Sequence, residues 1–197
     1  MIREIVLASR NPHKIEELKH LLQTQGVELK SALDFPDLKD VIEDKDTLEG
    51  NALKKSHYVF EQTGIPALSD DTGLEVDALN GAPGVYSARY AGEHASYADN
   101  VSKLLNELAS AQNRDARFRT AMAFVTADGY RIFEGKVEGQ IIKEPRGEQG
   151  FGYDPVFLPH GFDLTFAEMN QNEKAGISHR GRAVQAFMDY LSSQKED

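Results

Sequence analysis

Two long runs rich in β-branched and aromatic residues, "ARFRTAMAFVTA" and "YRIFEGKVEGQII", flank the dipeptide Asp128-Gly129. Asp-Gly between such runs is a favoured two-residue hairpin turn, so residues 116–142 are expected to form a long antiparallel pair. Upstream, strands and helices interleave. Ile2 to Ala8 is a short apolar run that predicts a buried strand. "NPHKIEELKHLLQTQG" follows as a helix, with Asn11 as N-cap, Pro12 at the first helical position and Gly26 as the stop. Ile15, Leu18, Leu21 and Leu22 form its apolar stripe.

"VELKSAL" predicts a second strand, and "DFPDLKDVIEDKD" an acidic loop. A second helix is expected from just after Thr47 to Gly64, with Leu48, Ala52, Val59 and Phe60 inward. "IPALSD" then predicts a third strand ending at Asp70, and "NGAPG" a turn cluster. Ser96 to Ser110 suits a helix capped by Ser96; "GEQGFGYDPVF" is a Gly-rich loop entering a short strand. The last helix runs from Ser178 to about Leu191, with Val184, Phe187, Met188 and Leu191 inward. This order predicts an α/β fold, a mixed sheet covered by helices, in one domain over residues 1–197.

Charge narrows the partners. The formal net charge is −10, which repels nucleic-acid backbones and leaves a small anion, held locally, as the favoured ligand. No apolar run is long enough to cross a bilayer, so no membrane partner is expected. Without cysteine there are no disulfides or thiolate metal sites, which fits a cytoplasmic location.

Four constellations carry candidate chemistry. In "ASRNPHK", a strand gives way to a helix with Ser9, Asn11 and Lys14 at the junction. Helix N-terminal amides and a lysine one turn in make an anion site, although plain capping with a solvated Lys14 uses the same residues. Asp70 and Asp71 stand side by side. A regular strand points successive side chains to opposite faces, so a turn at Asp71-Thr72-Gly73 is expected to free one carboxylate for a metal or a water. Hard oxygen ligands favour Mg²⁺, and Glu43, Asp44 or Glu49 offers a second carboxylate. The other reading is an Asx-turn with solvated charge.

In "GFGYDP", glycines bracket an aromatic, so Phe151 or Tyr153 offers a stacking face and Asp154, before Pro155, is held extended. A Gly-rich turn whose aromatics fill the core fits equally. In "NEKAGISHRGRA", His179 and Arg180 enter the first turn of the last helix, where cations oppose the helix dipole, and Lys174 lies just upstream. Phosphate cations, metal carboxylates and a stacking loop together describe a nucleoside triphosphate site.

The blocks "SRNPHK", "TLEGNALKK", "ALSDDTGLEVDALNGAPGVYSARYAG", "GFGYDPVF" and "EKAGISHRGRA", in that order, resemble the inosine triphosphate pyrophosphatases, which act on non-standard purine nucleoside triphosphates. The resemblance implies a long twisted mixed sheet with helices in two lobes around a central cleft, Mg²⁺ as cofactor, and a homodimer. It also implies cleavage of inosine, deoxyinosine or xanthosine triphosphate to monophosphate and pyrophosphate. Under it, Ser9, Arg10, Asn11, Pro12, His13 and Lys14 hold phosphates. Asp71 is proton acceptor and metal ligand, Glu43 the other metal ligand, and Thr72 a substrate contact. Phe151, Gly152, Tyr153 and Asp154 line the base pocket, and Lys174, His179 and Arg180 complete recognition. The family's "EETG" segment reads "IEDK" here, so only Glu43 of that segment is kept. The related Maf-like pyrophosphatases open with a serine-proline-arginine-arginine signature that "SRNPHK" lacks, and a non-catalytic nucleotide sensor would use the same pocket.

Overall fold

Capping residues set the helix starts much as the sequence suggests. The computed structural model describes residues 2, 4–22 and 27–194; the expected stop at Gly26 lies outside them. Helix α1 (Pro12–Leu22) begins where Asn11 Oδ1 accepts the amides of His13 and Lys14. Helix α2 (Leu48–Thr63) begins where the Thr47 side chain accepts the Gly50 amide, and ends at Gly64 in the left-handed region, φ 68°. Helix α3 (Tyr97–Glu107) carries a capping box between Ser96 and Asp99.

The chain forms two compact units. The first comprises Met1–Asp71, Thr120–Gly135 and Arg180–Asp197. Its strand β1 (Glu4–Leu7) pairs in parallel with β2 (Glu28–Ser31) on one side and with β3 (Ala67–Val76) on the other. The two-residue period of β1 separates two cores. Ile5 and Leu7 pack with Leu68, with Leu18 and Leu22 of α1, and with Val184 and Phe187 of α5 (His179–Ser193). Val6 and Ala8 pack with Ala67 and with Val59 of α2. Strand β1 is therefore buried on both faces, which is why it reads as a continuous apolar run.

The second unit comprises Thr72–Arg119 and Lys136–His179. Within it the far part of β3 pairs antiparallel with the two-residue β4 (Pro83–Gly84). The core joins Leu74 and Val76 of β3 to Leu104 of α3, Phe118, Val156, Phe157, Phe166 and Met169. Strand β7 (Phe157–Pro159) pairs antiparallel with the end of β6 (Gly129–Ile141). A short helix, α4 (Gln171–Ile177), precedes α5 and is separate from it. Its Asn170/Glu173 capping box was legible as Asn-x-x-Glu.

Strands β3, β5 (Asp115–Thr126) and β6 each pass through both units, in the sheet order β2-β1-β3-β5-β6-β7 with β4 on β3. This is the expected mixed sheet flanked by helices. Three local expectations are corrected. Asp154, expected to be extended before Pro155, instead opens a single 3₁₀ turn, Asp154–Val156. The hairpin turn is Ala127-Asp128, one residue earlier than predicted, because Gly129, φ 122°, already opens β6. More important for the site, β3 does not turn at Asp71-Thr72-Gly73; it continues extended to Val76. The apolar residues Leu74 and Val76 beyond the doublet hold it in the sheet by burial.

Candidate active site

Unbroken β3 decides where the two aspartates point. Ala67 faces the α2 core, Leu68 the α1/α5 core, and Ser69 bonds Ser56 Oγ and Ala52 O on α2. The alternation continues, so Asp70 goes to the α1/α5 face and Asp71 to the α2 face. Asp70 Oδ2 accepts Arg180 Nε and Nη2 at 3.1 and 2.8 Å, and Lys14 Nζ lies 3.4 Å away. Glu17, one turn along α1 from Lys14, takes Arg180 Nη1 at 2.6 Å. Asp71 Oδ1 lies 3.5 Å from Lys55 Nζ, which also bonds Glu43 Oε1 at 2.5 Å and the Asp70 carbonyl at 2.8 Å.

The two carboxylates are in opposite electrostatic states. Burial alone would push the Asp70 carboxyl up, but Lys14, Arg180 and Lys55 together hold it far below the usual carboxylate range. Burial is also the largest influence on Asp71; Lys55 and Lys14 pull it down, Glu43 and Asp70 push it up, and it ends raised. Lys55 loses by burial and gains more from Asp71, Glu43 and Asp70, so its ammonium is held charged. Adjacent aspartates thus divide into a fixed anion and a carboxylate poised to exchange a proton.

Asp71 Oδ2 is buried and has no hydrogen-bond partner among the described residues. A buried carboxylate oxygen left unsatisfied is costly unless something binds there. Asp71 and Glu43 already share one cation, the Lys55 ammonium, so their oxygens suit a hard divalent ion. Among the described residues no group of three or more acidic or histidine side chains gathers into a metal cage. Two carboxylates with the remaining positions left to water and ligand oxygens is the habit of Mg²⁺. Of the alternatives for the second carboxylate, Asp70 is engaged by Arg180, and Asp44 by Lys54 at 2.8 Å. Glu49 lies in the first turn of α2.

The residues of the candidate anion site at the start of α1 take different directions. Asn11 caps the helix, and its own amide donates to Ser9 Oγ at 3.2 Å. Pro12 and His13 are exposed in the first turn. Lys14 turns its ammonium to Asp70. Arg10 turns to the following loop, with Nε 3.0 Å from Asp40 and Nη2 bonding Leu38 O.

In the second unit, the loop at residues 150–154 closes on Asp154. Asp154 Oδ2 accepts the Phe151 amide and the Lys174 ammonium, each at 2.8 Å. A Cβ on Gly150 would stand 2.1 Å from the same oxygen, and its φ is 72°, so glycine alone fits. Lys174 Nζ also lies over the Phe151 and Phe166 rings, at 5.3 and 5.6 Å from their centroids. Tyr97 is 5.9 Å from Phe151, and His179 stacks on Phe118 at 4.6 Å. Gly152, φ 64°, follows Phe151 in the loop, and Thr72 is the half-buried residue after Asp71 on β3. Tyr153 departs from its expected place: its ring is in the core and its hydroxyl donates to Ser87 O at 2.9 Å.

Sequence reasoning missed Lys55 and Glu17. Lys55 stands in the quoted block "TLEGNALKK", and its spacing from Glu43 carries no local signal. Glu17 looks like one more surface charge on an amphipathic helix. Arg180 is the clearest surprise: expected near a ligand, it is 1% exposed and clamped by two carboxylates.

Residues 5–190 match the model of the Ham1 family. A dITP/XTP pyrophosphatase of Porphyromonas gingivalis is 47% identical over 195 residues, 98% of this chain and 100% of that protein. The Ham1 protein of Staphylococcus aureus superposes with a TM-score of 0.88 at 39% identity, covering 98% of this chain and 100% of that one. A HAM1 protein from Coxiella burnetii gives 0.89 at 40% identity, with the same coverage. The resemblance carried by the ordered motifs holds along nearly the whole chain, and the protein belongs to the Ham1 family.

Proposed function

We propose that this protein is a Mg²⁺-dependent pyrophosphatase of deaminated purine nucleoside triphosphates, such as dITP, ITP and XTP, that removes them from the nucleotide pool. The observation that carries the reading is Asp71: a buried carboxyl, raised above its ordinary range, with one oxygen unpartnered and cations on its other side. Relatives such as the Porphyromonas gingivalis protein bear the name dITP/XTP pyrophosphatase.

In the proposed reaction, water adds its oxygen to the α-phosphorus. The bridge to the β-phosphate breaks, and monophosphate and pyrophosphate leave. Asp71 orients that water and takes its proton, a task suited to a carboxyl whose affinity for protons is raised. The amides at the start of α1, Ser9 and Lys14 hold polyphosphate oxygens, and the Asp70 anchor keeps Lys14 from wandering. Bound Mg²⁺, held by Asp71 and Glu43, would neutralise phosphate charge and polarise water. Phe151 offers its ring to the base, while Lys174, fixed by Asp154, offers a donor to a 6-oxo group. His179 and Arg180 complete recognition from the start of α5, Arg180 by holding Asp70, and through it Lys14, in place. The same reading takes the chain as a cytoplasmic homodimer; no helix among the described residues is long and apolar enough to cross a membrane.

The test is a panel of standard and deaminated triphosphates with purified protein, with and without Mg²⁺, and with both products identified. Pyrophosphate and monophosphate from dITP, ITP or XTP, far faster than from ATP or GTP and only with Mg²⁺, are expected. Release of orthophosphate, or equal rates on all purines, would overturn the reading.

A further inference from the structure

We infer that Lys55 is a built-in counter-cation that occupies the Glu43–Asp71 position in alternation with a divalent ion. The inference rests on the metal reading above and adds a role for a residue that reading leaves unassigned. Lys55 Nζ touches Glu43 at 2.5 Å, Asp71 at 3.5 Å and the Asp70 carbonyl at 2.8 Å, so it sits where the two proposed ligand carboxylates converge. Its side chain is 12% exposed and Asp71's 8%, so neither charge is well solvated. Two carboxylates this close, with Asp70 next along β3, repel one another and cannot both stay ionised without a cation between them. The ammonium supplies it.

A divalent ion that took the same two carboxylates would stand against that ammonium. Like charges at such range, out of bulk water, exclude joint occupancy. Lysine suits an exchange of this kind better than arginine would, because its charge is a point on a flexible four-carbon stem with no planar fork to disengage. By contrast, the Asp70–Arg180–Glu17 clamp on the opposite face of β3 is built from a rigid guanidinium with bonds to both carboxylates. One face of the strand is locked by arginine and the other held by a cation that can leave.

A simpler role for Lys55, a fixed strut tying the acidic loop to β3, predicts the opposite response to metal. If Lys55 only braces the loop, removing it loosens Glu43 and weakens metal binding. If it competes, removing it strengthens binding.

The experiment is Mn²⁺ binding to the full-length protein, read by the electron paramagnetic resonance signal of free Mn²⁺, for the parent and for Lys55→Met. The expected result is binding at least about tenfold tighter in Lys55→Met, the scale of removing one adjacent positive charge. The variant is also expected to melt lower than the parent in chelator and to regain more of its midpoint than the parent does on adding Mg²⁺. Equal or weaker Mn²⁺ binding by Lys55→Met would overturn the counter-cation role while leaving the metal reading in place. No Mn²⁺ binding by either protein, with a non-hydrolysable triphosphate present, would remove the metal reading itself. Should Lys55→Met fail to fold, the parent answers alone. Acylation of Lys55, mapped by peptide mass spectrometry, is expected to rise when Mg²⁺ is added. Acylation unchanged by Mg²⁺ overturns the exchange.

Discussion

Arg180 sets two nitrogens on a single oxygen of Asp70, at 3.1 and 2.8 Å, across 110 residues of sequence. Both side chains are almost wholly buried, and Lys14 and Glu17 complete the group from α1. The clamp joins α1, β3 and α5, and through Lys14 it fixes one of the proposed phosphate contacts.

Removing the Asp70 charge leaves the buried Arg180 guanidinium and the Lys14 ammonium with only part of their counter-charge, Glu17, inside the first unit. Asp70→Asn is expected to cost about 3–5 kcal/mol of stability at neutral pH, the range for one partner lost from a buried pair. The sign of the pH dependence follows from the lowered Asp70 carboxyl. Its contribution is fully present above the ordinary aspartate value of 3.8 and is lost as pH falls below it. Denaturant titrations at pH 7 and pH 3 check this: the gap between parent and Asp70→Asn should be full at pH 7 and smaller at pH 3, with the greater part persisting there because the folded carboxyl stays ionised well below 3.8.

Asp71 behaves in the opposite sense. Asp71→Asn is expected to lower kcat at least about a hundredfold, the scale of losing a general base. Because the Asp71 carboxyl is raised in the folded protein, its ionisation costs stability as pH rises through that value. The variant should therefore melt higher than the parent at pH 8 and no higher at pH 4. A near-normal rate in Asp71→Asn at saturating Mg²⁺ would remove Asp71 from the chemistry.

Lys174 is set by Asp154 and two aromatic rings rather than by solvent. Lys174→Ala is expected to raise KM for dITP about tenfold or more, roughly 1.4 kcal/mol of binding, with a smaller change in kcat. It should also cost stability, because Asp154 would be left buried without its cation. Steady-state kinetics on dITP and a thermal melt separate the two effects, and an unchanged KM would count against contact with the base.

Tyr153 is the contrast. Its hydroxyl is committed to Ser87 O and its ring to the core. Tyr153→Phe is expected to cost about 1 kcal/mol of stability, one buried hydrogen bond, and to leave kcat/KM for dITP within about twofold of the parent. A large kinetic effect with unchanged stability would place Tyr153 at the ligand after all.

Much of this was legible locally. Asn11, Thr47, Ser96 and Gly64 mark helix ends through single side chains or a single backbone angle, and each acts within three or four residues of itself. The apolar runs of β1, β5 and β6 show through their own composition. The turn at residues 127–128 was misplaced by one because Gly129 tolerates both a turn and a strand start. The end of β3 was misplaced because the charge of the doublet resembled a loop, while the burial of Leu74 and Val76 outweighed it.

By itself, then, the chain's order of residues determined the caps, the strand and helix segments, the acidic balance and the five motifs of its family. Short-range hydrogen bonding and hydrophobic periodicity are written into neighbouring positions. Only the tertiary structure decided that Asp70 and Asp71 serve opposite faces, that Arg180 is locked away by Glu17 and Asp70, and that Lys55 stands between Glu43 and Asp71. Those outcomes depend on which distant charges a strand meets when it is buried, and desolvation makes each such meeting strong.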